Sequence, residues 1–528
     1  MRWLVAKPGT VFALFVGWKI ALFLFTGQPV PFNDADFYDG AVVNSLGGGA
    51  FVNPSIAIAR PYSGTEFFSA YPLLYQGALF GWMKIFGTSV QVAVGFHVFL
   101  ISIWTALVYL ILKRLELPTW VMHLAGGFLF TITAHDRPDS LAHVLGAGAV
   151  LAMVGWLGAG RSRRPLWLSA LLLALVVCAS LQLGAVYTAV VGVTVVLRSW
   201  LGPAKLPWLP LLVMGLTPFV LLAIGKHGFP QWWSGFLENA QDNPSAPGLL
   251  MPDADKLLKL IRSLPGFLVV LLLSVPGWPR IRAGMREAYG PVLALFLGTA
   301  FGTLAVCGMG LFYLTANYIP IFAAYLQPLT VGTGLAWLVA ANRLLVSRAV
   351  AISLCGICIG IGGLRAVGMT TWGLWCARDV SCADAGRIVT AELHASSTAA
   401  MRPVVLSSAY LYLAAPPTNL HLIHSDYVVR PQGRETQSDL VGLITLEPSR
   451  LLLTQFDFYR RYEPVLAELQ RTRRDVTVHV TNTARVPAPE AERFTRKLIQ
   501  HISWAPVIVE LSWPTARESN TPLPSSIQ

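Results

Sequence analysis

Runs of about 17 to 25 apolar residues, each long enough to cross a bilayer core as one helix, recur along the first two thirds of the chain. They predict spans at 10–27, 90–112, 118–134, 140–158, 166–182, 184–200, 207–225, 264–278, 288–308, 318–340 and 347–364. After about residue 366 the pattern changes. Short apolar runs at 403–406, 420–423, 450–453, 476–480 and 507–510 alternate with helical periodicity such as 462–471. That alternation predicts the strands and helices of a small α/β domain over 366–516, followed by a disordered tail at 517–528. The expected fold is a polytopic α-helical membrane protein of about eleven transmembrane helices over 1–365, with a C-terminal extracytoplasmic α/β domain.

Basic residues orient these spans. The apolar stretch 67–86 reads either as a further span or as a segment on the outer surface, and the choice reverses every later loop. With 67–86 re-entrant or interfacial, Lys113-Arg114, Arg161/Arg163/Arg164, Arg198 with Lys205, Arg280/Arg282/Arg286 and Arg343 with Arg348 all fall inside. That assignment puts 14 of the 22 Lys and Arg up to Arg348 inside and 7 outside, against 8 and 13 for the alternative. The positive-inside rule selects the first. The N-terminus is then cytoplasmic, and one outer face collects the loop 28–89, the loop 135–139, the loop 226–262, the turn 313–318 and everything after about 365.

Composition agrees with a membrane class. Hydrophobic residues make up 54% of the 528 and charged residues 12%, with mean hydropathy +0.57. A soluble chain would carry about twice that charged fraction. The net charge of +12 would suggest nucleic acid in a soluble protein. Here most basic residues sit in short loops between spans, so the charge reports topology. The first apolar run lacks an A-x-A cleavage site and reads as an uncleaved anchor. No N-x-[ST] sequon with x other than Pro occurs, which agrees with a bacterial inner (plasma) membrane and a periplasmic or extracellular C-terminal domain. Cys178, Cys307, Cys355 and Cys358 fall in apolar runs and read as inert thiols. Cys376 and Cys382 lie close together past the last predicted span and are a disulfide candidate if that side is oxidising.

The chemistry gathers at the outer loops. Asn33-Asp34-Ala35-Asp36-Phe37-Tyr38-Asp39 holds three carboxylates in six residues and opens a short amphipathic helix, with Tyr38, Ala41, Val42, Ser45 and Leu46 on one stripe and Gly47-Gly48-Gly49 to stop it. The second acidic loop, His135-Asp136-Arg137-Pro138-Asp139, shares that face. Lys19 lies mid-span, where ionisable residues are rare and often functional. Residues 253–263 form an amphipathic stretch that reads as a lid ordered by substrate. There is no G-x-x-x-x-G-K-[ST], no H-E-x-x-H and no G-x-G-x-x-G after a strand, so soluble nucleotide and zinc-hydrolase chemistries are unsupported. As a structural alternative, Asp34, Asp36 and Asp39 serve as cap and solvated loop residues, and Asp139 as a helix cap paired with Arg137.

This pattern resembles the GT-C superfamily of integral-membrane glycosyltransferases, in particular the bacterial branch related to protein O-mannosyltransferases and aminoarabinose transferases. The carrying residues are Asn33-Asp34-Ala35-Asp36-Phe37-Tyr38, then Tyr71-Pro72-Leu73-Leu74-Tyr75 with Ile85-Phe86-Gly87, then Arg137-Pro138-Asp139, and more weakly Asn317-Tyr318. The resemblance implies transfer of a sugar from a polyprenyl-phosphate donor to a glycan, lipid or protein acceptor at the outer leaflet. It places the general base at Asp34, four positions before Tyr38, or at Asp36, because Ala35 stands where an acidic neighbour often follows. It adds Asp139 as the second-loop carboxylate.

A positioned carboxylate suits the reaction because a sugar hydroxyl is a poor nucleophile, and the departing phosphate needs cations or N–H donors. Arg60, Lys84 and Arg137 are the outer basic candidates, and Tyr38, His135, Asn317 and Tyr318 complete the substrate-binding set. Ser69-Ala70 replace the family's basic residue before Tyr71. Some members of the family use a divalent ion, and carboxylates from two loops could hold Mg²⁺ or Mn²⁺, but without further oxygen ligands no cofactor is assigned. Competing functions are a transporter or lipid flippase, a glycan ligase or polymerase of related architecture, and a non-catalytic sugar-binding relative.

Overall fold

The structure, a computed structural model, describes residues 7–30, 35–49, 51, 73–132, 139–159, 163–202, 205–228, 254–273, 278–313, 319–340, 348–398, 402–407, 410, 422–425, 428, 438–485 and 502–514. The chain divides into two compact units. Met1–Phe23, Ser69–Trp82 and Gly95–Thr370 form the first; Leu24–Phe68, Met83–Val94 and Thr371–Gln528 form the second.

In chain order the helices are α1 (Thr10–Thr26), α2 (Ala35–Leu46), α3 (Leu74–Phe86), α4 (Val90–Arg114), α5 (Thr119–Gly127), α6 (Asp139–Ala159), α7 (Arg164–Ala179), α8 (Leu181–Leu201) and α9 (Trp208–Gly228). Then follow α10 (Ala254–Ser263), α11 (Pro265–Leu273), α12 (Trp278–Gly284), α13 (Gly290–Gly308), α14 (Ala324–Ala340), α15 (Arg348–Asp379) and α16 (Cys382–Thr398). Among the described residues, 7 helices are long and apolar enough to cross a membrane: α4, α6, α8, α9, α13 and α14 with their π-helical extensions, and α15. Helices α1 and α7 are apolar but shorter, at 17 and 16 residues. The chain is a helical membrane protein with a small sheet.

In the first unit α14, with the π turn Ile319–Ala323 before it, is 94% buried and forms the middle of the bundle. Its own Trp337 packs with Trp104, Phe128 and Phe267 of its neighbours in one apolar core. Hydroxyls in this core have no water to bond, so they turn back onto their own helices. Thr299 donates to Leu295 O at 3.0 Å, Thr303 to Thr299 O at 2.8 Å, and Thr333 to Leu329 O at 2.7 Å. Helix α15 presents Ile357, Ile361, Leu364 and Val367, all exposed, as apolar flank suited to lipid.

Two predicted spans differ in form. The run 118–134 is α5 followed by a 3₁₀ turn, Phe128–Thr131. The run 264–278 begins as α11, whose first turn is capped by buried Gln327: its Oε1 accepts from Gly266 N at 3.1 Å and Phe267 N at 3.4 Å, while 274–277 lie outside the described residues. Gln327 Nε2 donates to Thr131 Oγ1 at 3.1 Å, tying both segments to α14. The last span continues well past 364, since no proline interrupts the 32 residues of α15.

In the second unit, α2 takes in Ala35–Asp39 of the acidic motif and stops where the glycines predict, with Gly47 N bonded to Val43 O at 3.0 Å and Gly49 N to Asn44 O at 3.0 Å. Asp39, Ala41 and Val42 are buried. The five apolar runs beyond 400 become β1 (Val404–Leu406), β2 (Leu422–His424), β3 (Arg450–Leu453), β4 (Thr477–Asn482) and β5 (Val507–Ser512). They form one sheet in the order β2-β1-β3-β5-β4, with β1 parallel to β2 and β3, and β5 antiparallel to β3 and β4. Val405, Leu451, Leu453, Val507 and Val509 pack against Tyr462, Leu466 and Leu469, the last two on α18 (Glu463–Thr472), after α17 (Asp439–Leu446) has crossed from β2 to β3. Arg450 on β3 is shared by Glu392 of α16 and Glu510 of β5, each at 2.7 Å.

Residues 24–28 dock within the same unit. Gln28 Nε2 donates to Ile502 O at 2.5 Å, and Trp504 Nε1 to Thr26 O at 3.2 Å. Gly27 between them has φ +70°, and a Cβ there would meet Trp504 Nε1 at 3.3 Å and Cys382 Cβ at 3.4 Å, so both conformation and space require glycine. Cys376 and Cys382 are both buried free thiols, so the bridge expected between them is not formed in this structure. Burial pushes the Cys382 thiol up to about 12, which keeps it protonated and unreactive.

Helix α16 opens with a reciprocal cap. Asp384 N donates to Ser381 Oγ at 3.1 Å, while Asp384 Oδ2 accepts from Ser381 Oγ at 2.7 Å and Ser381 N at 3.1 Å. The Ser381 hydroxyl first, then its N–H, then Arg387 hold the Asp384 carboxyl below its usual range. The folded pKa is depressed, so the stabilisation is present above the unfolded value of about 3.9 and is lost as pH falls through the folded value. The hydrogen-exchange protection of the α16 first-turn amides, taken relative to the unstructured rate at each pH, should therefore fall on acidification below about pH 4. In Ser381→Ala and Asp384→Asn that pH dependence should disappear.

Candidate functional site

Of the residues singled out in the sequence, Asp139 has a described environment in the first unit. It starts α6, where the helix dipole favours negative charge, and is buried. Ser180, in the extended residue between α7 and α8, accepts from Leu183 N at 3.5 Å as cap of α8 and donates to Asp139 Oδ1 at 3.4 Å. The α7–α8 junction thus positions the carboxylate.

Below it on α6, Ser140 and His143 continue a polar face. His143 Nε2 lies 2.9 Å from Ile321 O and Nδ1 3.0 Å from Tyr187 OH. A carbonyl only accepts, so Nε2 carries a hydrogen, and a neutral ring takes Tyr187's hydroxyl proton bond at Nδ1. The imidazole stacks on Tyr325, ring centroids 4.0 Å apart and 7° from parallel, and Tyr325 meets Trp104 edge-on at 5.0 Å. On the other flank His97 Nδ1 lies 3.4 Å from Ser140 Oγ, and its Nε2 lies 2.9 Å from Tyr75 OH of α3. His97, Ser140, His143, Tyr75 and Tyr187 are all buried. Two histidines, a carboxylate and two phenols, drawn from four helices, therefore converge on one end of α6. Such a network is costly in a bilayer unless every polar atom is matched, which fixes the geometry around Asp139.

Behind this polar face lies an apolar cavity of about 460 Å³. It is lined by Leu74, Gly77 and Ala78 of α3, Val177 and Cys178 of α7, Leu181 of α8, and Leu221, Leu222 and Gly225 of α9. Cys178 and Leu181 flank Ser180 in the chain. One junction therefore holds the buried carboxylate and walls a cavity shaped for hydrocarbon. Helix α3 serves both, with Tyr75 on the polar side and its neighbours on the apolar one.

The other predicted site residues are distributed as follows. Asp36 and Tyr38 lie on the backbone of α2, and their side chains are outside the described residues. Asp34, Arg60, His135, Arg137, Asn317 and Tyr318 lie outside them altogether. Lys84 is exposed in the last turn of α3. Among the described residues no three His, Cys, Asp or Glu side chains gather as a metal-ligand set. Sequence reading missed His97, His143, Tyr187 and Tyr325. Their signal was present, since each is a polar or titratable residue inside an apolar run. No protein-family model matches the chain, and no curated protein matches it.

Proposed function

We propose that the protein is a membrane glycosyltransferase that moves a sugar from a polyprenyl-phosphate donor to a glycan, lipid or protein acceptor at the outer face of the membrane. The observation that carries this reading is the shared α7–α8 junction, where Ser180 holds Asp139 while Cys178 and Leu181 wall the apolar cavity. A lipid-linked donor needs that pairing: hydrocarbon beside a carboxylate, so that the isoprenoid anchors the molecule while its sugar lies over acid groups. In this proposal Asp34 or Asp36 takes the acceptor proton and Asp139 holds sugar or acceptor hydroxyls. Arg60, Lys84 and Arg137 are the cations assigned to the phosphate, and Tyr38, His135, Asn317 and Tyr318 complete the substrate set.

The proposal includes eleven spans in a bacterial inner membrane, a cytoplasmic N-terminus and a periplasmic or extracellular α/β domain over 366–516. It has 67–86 lie at the interface; α3, at 13 residues, is about 20 Å long, short of a core of about 30 Å. Beyond the seven long helices and α1 and α7, it counts the segments containing α5 and α11 as spans.

A proton-coupled transporter is the second reading, favoured by the buried His97 and His143, since intramembrane histidines serve proton relays. Purified protein given a radiolabelled polyprenyl-phosphate sugar separates the two. Transfer or donor hydrolysis that is lost in both Asp34→Asn and Asp36→Asn is expected. Equal turnover in both variants and the native chain would remove Asp34 and Asp36 as the base, and no turnover by the native chain would remove the transferase reading.

A further inference from the structure

Strand β4 is an open edge of the sheet. It ends the order β2-β1-β3-β5-β4, and among the described residues it pairs with β5 alone. Thr477, His479, Val480 and Thr481 are exposed, Val480 by 41%. Natural sheets blunt such an edge with a charge, a proline or a bulge, because its outward N–H and C=O groups are a template for another strand. The six residues of β4, Thr477-Val478-His479-Val480-Thr481-Asn482, hold no Lys, Arg, Asp, Glu or Pro, and their register with β5 runs without a bulge. Hydrogen bonds show which groups face outward. Leu511 N donates to Ser449 O on the β3 side at 3.0 Å, and Thr483 N to Pro506 O on the β5 side at 3.2 Å. Backbone groups alternate sides along a strand, so Thr477, His479 and Thr481 turn theirs to β5, while Val478, Val480 and Asn482 turn theirs to the open edge.

The same segment reads alike in both directions. Thr477-Val478-His479-Val480-Thr481 is a palindrome about His479, and antiparallel pairing is the arrangement that uses this symmetry. A second copy laid antiparallel, with the two His479 residues opposed, sets Val478 against Val480 and Thr477 against Thr481 on both sides of a two-fold axis. The valines are the outward residues, so each Val478–Val480 pair exchanges two N–H···O bonds. Cross-strand pairs of β-branched residues and of threonines are among those that stabilise neighbouring strands. Exposed Val480 meets Val478 of the second copy, a position that packs against the domain's own core. Sliding two residues toward the strand end, the next register that keeps the hydrogen bonds, opposes Val478 to Asn482 and loses the match. We infer that β4 is a self-association edge, through which two copies of this chain join their sheets about an axis at His479. The inference rests on the sheet and is independent of the sugar-transfer reading.

Cysteine substitutions in the full chain, purified in detergent, read the register. Opposed residues between hydrogen-bonded pairs have Cα atoms about 4.5 Å apart, within the span of a disulfide, so His479→Cys should cross-link to its own copy on mild oxidation. Thr477→Cys alone should not, because its two copies stand about 14 Å apart along the paired strands. Thr477→Cys combined with Thr481→Cys should cross-link again. The native chain under the same oxidant, with its 6 cysteines, sets the background. Val480→Pro tests the pairing itself. The Val480 N–H faces outward, so proline removes a hydrogen bond of the dimer and leaves the β4–β5 ladder intact. Sedimentation in density-matched detergent should show its dimerisation weakened by about tenfold or more, since two such bonds are lost across the axis. His479→Lys, which opposes two like charges at the axis and spares the backbone, should also weaken it. A strictly monomeric native chain, which would leave the edge to a strand of another protein, overturns the inference. So do His479→Cys cross-links no stronger than those of Thr477→Cys, or dimers undiminished in both Val480→Pro and His479→Lys.

Discussion

Asp139→Asn is expected to lower transfer from a polyprenyl-phosphate sugar by about 10- to 150-fold, the effect of removing a charge-assisted hydrogen bond of about 1.5–3 kcal/mol. If the carboxylate also moves a proton, the loss extends to about 10²–10⁴-fold. The substitution separates function from structure because asparagine keeps the shape and the Oδ1 acceptor that Ser180 uses. A purely structural Asp139 contributes through the α6 dipole, about 0.3–1 kcal/mol, so its replacement would leave turnover nearly intact. Ser180→Ala should act through position alone, lowering turnover about two- to tenfold at unchanged fold, as expected for one neutral hydrogen bond. Rates and unfolding temperatures measured on both variants decide the matter; unchanged rates in Asp139→Asn would remove Asp139 from the site.

The second large effect falls on the bundle itself. Helices α8 and α13 meet at Gly298 and Gly302, spaced four apart as in close-packed membrane helix pairs. A Cβ at Gly298 would strike Thr194 Oγ1 and lie 2.6 Å from Val190 O, while one at Gly302 would lie 2.6 Å from Val190 Cγ2. Backbone carbonyls cannot give way as side-chain tips do, so the helices would have to separate. Gly298→Ala should cost about 1–3 kcal/mol, and Gly298→Leu should prevent assembly of the bundle. Gly192, on α8 with open space around it, is the control. Gly192→Ala should be neutral or stabilising by up to about 1 kcal/mol. Thermal unfolding in lipid and the yield of monodisperse protein measure all three, and a Gly298→Leu protein as stable as the native chain would refute the packing argument.

Local patterns were legible wherever a segment's fate depends on its own residues. The alternation beyond 400 located all five strands, and the glycines after Leu46 located the end of α2. Apolar length located the long helices. Hydropathy did not show the 3₁₀ turn within 118–134, because a partner far along the chain holds it: Gln327, which also caps the first turn of α11, donates to Thr131 at the turn after α5. The end of α15 was misplaced because polar residues within a helix do not terminate it when nothing breaks its backbone.

The sequence by itself determined that this chain lives in a membrane, which of its runs form helices and strands, and that Asp139 begins a helix beside an acidic loop. Those properties follow from periodicity and from the cost of exposing apolar length to water. Only the tertiary structure decided that His97 packs beside that helix while His143, on the helix itself, meets Tyr187, that Tyr75 and Ser180 complete the polar face, and that an apolar cavity shares its α7–α8 wall. A histidine in an apolar run must find a partner once water is gone, but which partner it finds is set by how distant helices pack.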